Sequence, residues 1–207
     1  MATAPILVVD SSYPQPRHIA RAVAALEAGN VIAYPTDTCY AFGCDLFSKS
    51  AVEQLRLLKR RDPKKPFAFL CHDESEASRY AVIGDNAHRL IRRLTPGPYT
   101  FVLAATRESP RTALTKRRQV GVRIPDHAVP QALLQGLHRP LATTTATSPE
   151  GESLVDARDI QALFGTELAV ILDGGYHLDE PSTVLDLSDD TAPVVLRMGK
   201  GGVAGIA

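Results

Sequence analysis

The sequence has no net charge, no long apolar run and few cysteines, and each shortage narrows what it can be. Lysine plus arginine number 23 in 207 residues, and aspartate plus glutamate also number 23. A balanced chain is not one coated in cations for nucleic acid, although a local basic patch stays open to it. No run approaches the roughly 18 apolar residues needed to cross a bilayer. Residues Met1–Asp10 lack a basic start followed by a long apolar stretch, so no signal peptide is read there. These absences predict a soluble, cytoplasmic protein with no membrane partner. Cys39, Cys44 and Cys71 are odd in number and lack C-x-x-C spacing. They read as buried thiols more readily than as a metal site completed by His72.

The common catalytic signatures are missing too. There is no G-x-x-x-x-G-K-[ST], no G-x-G-x-x-G after a strand, no H-E-x-x-H and no G-x-S-x-G. Internal repeats, low-complexity segments and a Gly/Pro/Ser-rich linker are equally absent. What remains is an ordinary globular composition, 44% apolar and 22% charged. Its length suits one sizeable core or two small ones.

The stretch that organises the chain is residues 31–45, V-I-A-Y-P-T-D-T-C-Y-A-F-G-C-D. Val31 to Tyr34 has the length and branching of a buried strand, and Pro35 ends it. Thr36, Asp37, Thr38 and Tyr40 follow, with Gly43 expected to close the turn. Polar side chains just past a buried strand are where open α/β sheets place ligands. The alternative is a turn in which Thr36 and Asp37 merely cap backbone.

Along the rest of the chain, helical and strand patterns interleave. A first strand is predicted at 6–9, then a helix opened by Pro16 with Ile19, Val23 and Leu26 on one face, ending at Gly29. Ser50 and Glu53 suggest a capping box for a second helix, stopped by Pro63. Further strands are expected at 67–71, 99–105, 119–124, 140–147, 168–172, 183–187 and 194–198. Helices are expected after Asp85, over 131–137, and from Asp156 through Phe164. The interleaving predicts one α/β domain over 1–207, with a core of about 15–199. Connections too short for helical crossovers, notably 173–182, make the sheet mixed. Residues 200–207 are expected to form a loose tail.

Three signals carry chemistry. Arg56–Lys65 holds six cations against the single Asp62. A helix C-terminus explains Lys59 and Arg60 through its dipole, but not Lys64 and Lys65 beyond Pro63. Cations converging there suit a polyphosphate or a nucleic-acid backbone. Thr143, Thr144, Thr145, Thr147 and Ser148 form a hydroxyl-rich strand end, suited either to an oxyanion or to local turns. Arg123 ends an apolar strand just before Pro125, where its planar fork can meet a carboxylate or a structural partner.

P-T-D-T-C-Y-A-F-G at 35–43, Lys59-x-Arg61 with Lys65-Pro66, and T-P-G-P-Y-T at 95–100 resemble the YrdC-like family. So do V-G-V-R-I-P at 120–125, P-S-T-V at 181–184 and R-M-G at 197–199. These segments occur in the family's order across nearly the whole chain. T-P-G-P-Y-T-F, D-G-G-Y at 173–176 and P-S-T-V-L-D-L are most similar to its YciO branch. The resemblance implies a twisted mixed sheet flanked by helices, with a concave, positively charged cavity. It implies threonylcarbamoyl-adenylate synthesis from L-threonine, bicarbonate and ATP with Mg²⁺, releasing pyrophosphate. The carbamoyl group then goes to tRNA through partner proteins; the family is also described as binding tRNA or double-stranded RNA.

By the same resemblance, Thr36, Thr38, Tyr40, Arg123 and Ser182 would bind substrate, Arg123 through the threonine carboxylate. Lys59 and Arg61 would act catalytically on the phosphates. Together with Lys65, Thr143, Thr145, Thr147 and Arg197 they would hold the nucleotide. Two departures stand out. The synthases carry S-A-N where this chain has Thr145-Ala146-Thr147, which removes an amide donor and acceptor. The family's histidine position holds Leu70, although strand alternation would put His72 on the same face. Two further readings therefore stay open: a YciO-type RNA binder without adenylate chemistry, and a nucleotide-binding regulatory module.

Overall fold

The computed structural model describes residues 3–59, 67–111, 114 and 118–206. In chain order these form β1 (Ile6–Val8), α1 (Pro16–Glu27), β2 (Ile32–Tyr34), β3 (Ala41–Asp45), α2 (Lys49–Leu58), β4 (Ala68–Leu70) and α3 (Glu74–Tyr80). Then come β5 (Ala81–Val82), α4 (Asp85–Leu94), β6 (Tyr99–Ala105), β7 (Gln119–Arg123), α5 (Ala128–Leu137) and β8 (Leu141–Thr145). The chain closes with α6 (Ala157–Phe164), β9 (Val170–Asp173), β10 (Thr183–Asp186) and β11 (Val194–Arg197).

The strands make one sheet in the order β1-β9-β2-β3-β8-β4-β7-β6-β10-β11, with β5 beside β6. It is mixed as expected. β9 runs parallel to β1 and β2, β4 to β7, and β6 to β10, while β3 is antiparallel to both its neighbours.

Helix spacing decides which face each helix covers. α1 starts at Pro16, whose missing N–H costs nothing in the first turn, and buries Ile19, Ala22, Val23 and Leu26 along one stripe. α5 buries Val129, Leu133, Leu134 and Leu137. These two pack together over Ile32, Tyr34, Leu141 and Leu172 on one face of the sheet. On the other face α2, α3, α4 and α6 supply Leu55, Tyr80, Ile91 and Phe164 against Phe42, Phe69, Phe101 and Val122. A fully buried side chain of this kind contributes about 1.5–3 kcal/mol.

One face is thus covered over most of its strands, though not at the edge strand β11, whose residues are all exposed, and the other face only over part of its width. Alternation shows where the roof stops. Leu141 lies under α1 and α5, while Thr143 and Thr145, on the same side of β8, line an open hollow.

Several local expectations change. Gly43 sits within β3 and closes no turn; an added Cβ would lie 2.8 Å from the Tyr34 ring across the ladder. The cap of α2 is Ser48, whose hydroxyl accepts from the Ala51 N–H, and Ser50 lies inside the helix. α5 begins at Ala128, capped by His127, because Pro130 is tolerated in a first turn. α3 and β5 were not anticipated. The tail expected to be loose is anchored through residue 206. The Gly201 carbonyl accepts from Thr183, Gly202 from Tyr99 and Gly205 from Arg93, and Ile206 is buried in the core.

Candidate active site

The hollow over β8, β4, β7, β6 and β10 is a cavity of about 340 Å³, within the range of small-ligand sites. The end of β2 builds one wall. Pro35 stops the ladder, and the next turn folds around the hydroxyl of Thr36, which is buried. That hydroxyl donates to the Cys39 carbonyl at 2.7 Å and accepts from the Thr38 N–H at 3.1 Å. Arg123, at the C-terminal end of β7, reaches into this turn. Its Nη2 donates to Asp37 Oδ1 at 2.5 Å and to the Thr38 hydroxyl at 2.8 Å, with Thr36 Oγ1 at 3.4 Å. Both side chains of the ion pair are nearly buried, 11% and 9% exposed.

The opposite wall comes from β6 and β10, whose parallel register sets Thr100 beside Val184. The Thr100 and Ser182 hydroxyls are 2.9 Å apart. Arg197 donates to the Ser182 carbonyl at 3.1 and 2.8 Å and to its hydroxyl at 3.2 Å. Lys200 braces the turn after β2, its ammonium donating to the Asp37 carbonyl at 2.7 Å. Among the described lining residues, Arg123 and Arg197 carry the charge.

The floor is less open to ligand than its composition suggests. The Thr143 hydroxyl is shared with the Tyr34 phenol at 2.7 Å and donates to the Phe42 carbonyl at 3.3 Å. Tyr40 borders the cavity, but its hydroxyl accepts from the Gly174 N–H at 3.0 Å and faces the Gly175 carbonyl at 2.8 Å. Burial and then Asp173 push that phenol above its ordinary pKa. Burial also raises the Cys39 thiol, which keeps it protonated and a poor nucleophile. His127 stands behind the turn. Burial first, then His177, lowers it to about 4.

Thr38, Tyr40, Arg123, Thr143, Thr145, Ser182 and Arg197 therefore meet at one cavity. Thr36 supports the turn from behind. Lys59 caps the C-terminus of α2 and donates to the Thr147 hydroxyl, so those two stand together beside the lining residues. Arg61 and Lys65 lie outside the described residues. His72 follows the end of β4; its backbone N–H binds Glu76 and it borders a separate surface hollow, so strand alternation does not carry it into the site. Two neighbours were missed. Thr100 was legible as the polar member of the Tyr99-Thr100-Phe101 alternation. Asp37 is read in sequence either as one of the polar residues past a buried strand or as a backbone cap, and a sequence cannot show that Arg123 lies opposite.

A concave hydroxyl- and arginine-lined hollow on a half-roofed mixed sheet defines the architecture, and comparison with known proteins finds the same fold. The family model for the Sua5/YciO/YrdC domain, described as "telomere recombination", matches residues 24–199. The chain belongs to this family. The Escherichia coli (strain K12) protein YciO, itself uncharacterised, is 40% identical over 192 residues, covering 92% of this chain and 93% of YciO. Human threonylcarbamoyl-AMP synthase is 35% identical over 185 residues, 86% of this chain and 66% of the human protein. Among solved structures, E. coli YciO superposes with a TM-score of 0.92 at 38% identity, over 97% and 98% of the two chains. P. abyssi Sua5 complexed with L-threonine gives 0.89 at 28% identity, over 98% of this chain and 60% of the longer Sua5.

Proposed function

We propose that this chain is an L-threonylcarbamoyl-adenylate synthase: it binds L-threonine and ATP, condenses bicarbonate with the amine to a carbamate with loss of water, and transfers the adenylyl group to that carbamate with release of pyrophosphate. The product would feed threonylcarbamoylation of tRNA by partner proteins in the cytoplasm. The observation that supports this most is Arg123, held at the wall of the cavity beside Thr36 and Thr38, with a half-used guanidinium suited to a carboxylate. A relative that shares the fold carries L-threonine in its solved structure.

On this reading Arg123, Thr36 and Thr38 hold the amino acid, and Ser182 and Arg197 border the nucleotide. Lys59, with Arg61 and Lys65, neutralises the phosphates. Displacement at an α-phosphorus needs positioning and charge neutralisation more than a strong base, which fits the absence of a perturbed general base among the described lining residues. Mg²⁺ would enter on the phosphate oxygens of ATP, adding to that neutralisation.

A second reading, RNA binding without adenylate chemistry, is favoured by one observation. Thr147, where the synthases carry asparagine, is engaged by Lys59, so this side of the site differs from theirs. The deciding experiment supplies purified protein with ATP, Mg²⁺ and bicarbonate, with and without L-threonine. Threonine-dependent pyrophosphate supports the synthase; its absence from folded protein transfers the assignment to tRNA or double-stranded RNA binding.

A further inference from the structure

The two walls of the cavity belong to strands that are far apart in the sheet. β2, whose following turn builds one wall, and β10, which with β6 builds the other, have β3, β8, β4, β7 and β6 between them. At about 4.8 Å per strand, a flat sheet would hold them roughly 30 Å apart. Twist and coiling close part of that gap. β2 pairs with β3 and β9, and β10 with β6 and β11, so no ladder among the described strands joins the two. Arg123 ties side chains of the turn to β7. The backbone of the turn is held by residues from either side of β10.

His177 lies in the connection from β9 to β10. Its Nε2 is 3.1 Å from the Thr36 carbonyl; a carbonyl only accepts, so this nitrogen carries the proton. The ring is steadied by the Tyr40 ring, with centroids 4.8 Å apart. Three residues on, the Glu180 N–H faces the Cys39 thiol. Lys200 comes from beyond β11. Its backbone N–H donates to the Pro181 carbonyl at 2.9 Å, at the head of β10, and its ammonium donates to the Asp37 carbonyl at 2.7 Å. One residue thus grips both walls. Its own backbone is fixed from both sides. The Gly199 N–H donates to the buried Thr183 hydroxyl at 3.0 Å, and that hydroxyl donates to the Gly201 carbonyl at 2.6 Å.

Exchanging water for a side-chain donor on a carbonyl contributes only about 0.5–1.5 kcal/mol net, so the consequence of these contacts lies in geometry more than in stability. We propose that His177 and Lys200 are positioning residues: they clasp the turn after β2 to the segments flanking β10 and so set the span between Thr38 and Arg123 on one wall and Ser182 and Arg197 on the other. Neither is among the described lining residues; each acts through the carbonyl it holds. A reaction that joins two molecules, one along each wall, depends on that span, whereas either molecule alone depends on it little. The hold on the turn stands by itself, whereas its kinetic consequence rests on the synthase reading.

The test compares the full wild-type chain with Lys200→Met, His177→Phe and the double variant. Methionine keeps the stem of Lys200 without its ammonium, and phenylalanine keeps a ring against Tyr40 without the N–H. Hydrogen exchange followed by NMR reads the turn through the Thr38 N–H, which donates to the Thr36 hydroxyl, against the amides of β7, held in ladders on both sides. In the double variant Thr38 should exchange at least about tenfold faster relative to β7. Threonine-dependent pyrophosphate release should lose at least about tenfold in kcat. Affinity for L-threonine alone and for ATP alone, by calorimetric titration, should stay within about threefold. Lys200→Arg and His177→Gln return a donor to each carbonyl and should bring kcat back to within about threefold of wild type.

Unchanged exchange at Thr38 overturns the proposal whatever the kinetics. So does an equal rise at Thr38 and across β7 with kcat of the folded fraction intact, which would make these contacts ones of general stability. Faster exchange at Thr38 with unchanged kcat overturns the claim on the span. If folded wild type releases no threonine-dependent pyrophosphate, the synthase reading fails, and exchange at Thr38 alone decides the clasp. Should the double variant not fold, the single variants decide it, each expected to quicken Thr38 at least about threefold.

Discussion

One face of the sheet carries two regions with opposite treatments of the same geometry. Under α1 and α5 the strands present Ile32, Tyr34, Leu141 and Leu172, all buried, and each element needs the other to stay dry. A few strands across, the same face presents Thr145, Gly121, Thr100 and Arg123, and none of the described helices lies over them. The covered region spends its side chains on stability. The open region gives up that burial and keeps hydroxyls and cations facing a hollow. β8 passes from one to the other within five residues, Leu141 to Thr145. The two regions should therefore respond to mutation through different measurements.

The largest effect belongs to the covered region. Leu133 is fully buried between α5 and the sheet. Leu133→Ala should cost about 2–5 kcal/mol in denaturant unfolding, with threonine affinity of the folded fraction unchanged. An equal loss of affinity would show that the two regions are not separable.

Gly121 tests the open region from the other side. An added Cβ there would meet Thr100 Cγ2 at 3.4 Å and Ala68 Cβ at 3.8 Å, ordinary contacts at the cavity floor. Gly121→Val should thus fold with a stability change under about 1.5 kcal/mol, since valine also favours strands. By filling the hollow it should weaken ligand binding at least about tenfold. Titration beside a melting curve separates the two outcomes, and lost stability with intact binding would place the ligand elsewhere.

pH should disturb the covered region through His127, the cap of α5. Its nitrogen Nδ1 accepts from the Val129 N–H at 3.2 Å, and its pKa is lowered from 6.5 to about 4. The unfolded chain therefore takes up this proton first. The associated loss is absent above about pH 6.5 and grows as pH falls towards 4. His127→Asn keeps an acceptor at the cap and removes the titration. Wild type should lose about 1–2 kcal/mol more than the variant across that window, and parallel pH–stability curves would remove His127 as the cause.

The smallest expected effect lies at the edge of the open region. Thr147→Asn would restore an amide beside Lys59 that both donates and accepts. A regained hydrogen bond is worth about 0.5–1.5 kcal/mol, so ATP should bind up to about tenfold more tightly. Weaker ATP binding at unchanged stability would mean the loop serves another ligand, and the synthase reading should then be given up.

Much of this was legible before any coordinates. The spacing of Ile19, Val23 and Leu26, Pro16 ahead of them and Gly29 behind, determined α1, because period and punctuation are local properties of the chain. The Tyr99–Ala105 run likewise determined β6, and six ordered motifs carried the family. Other features depended on residues far apart in sequence. Gly43 reads as a turn residue until Tyr34 is seen lying across it. The tail looks loose until Thr183, Tyr99 and Arg93 are found holding it. Above all, Asp37 looks like a cap and Arg123 like a strand terminus while they stand 86 residues apart. Only tertiary packing brings the two charges together as a nearly buried pair at the wall of the cavity.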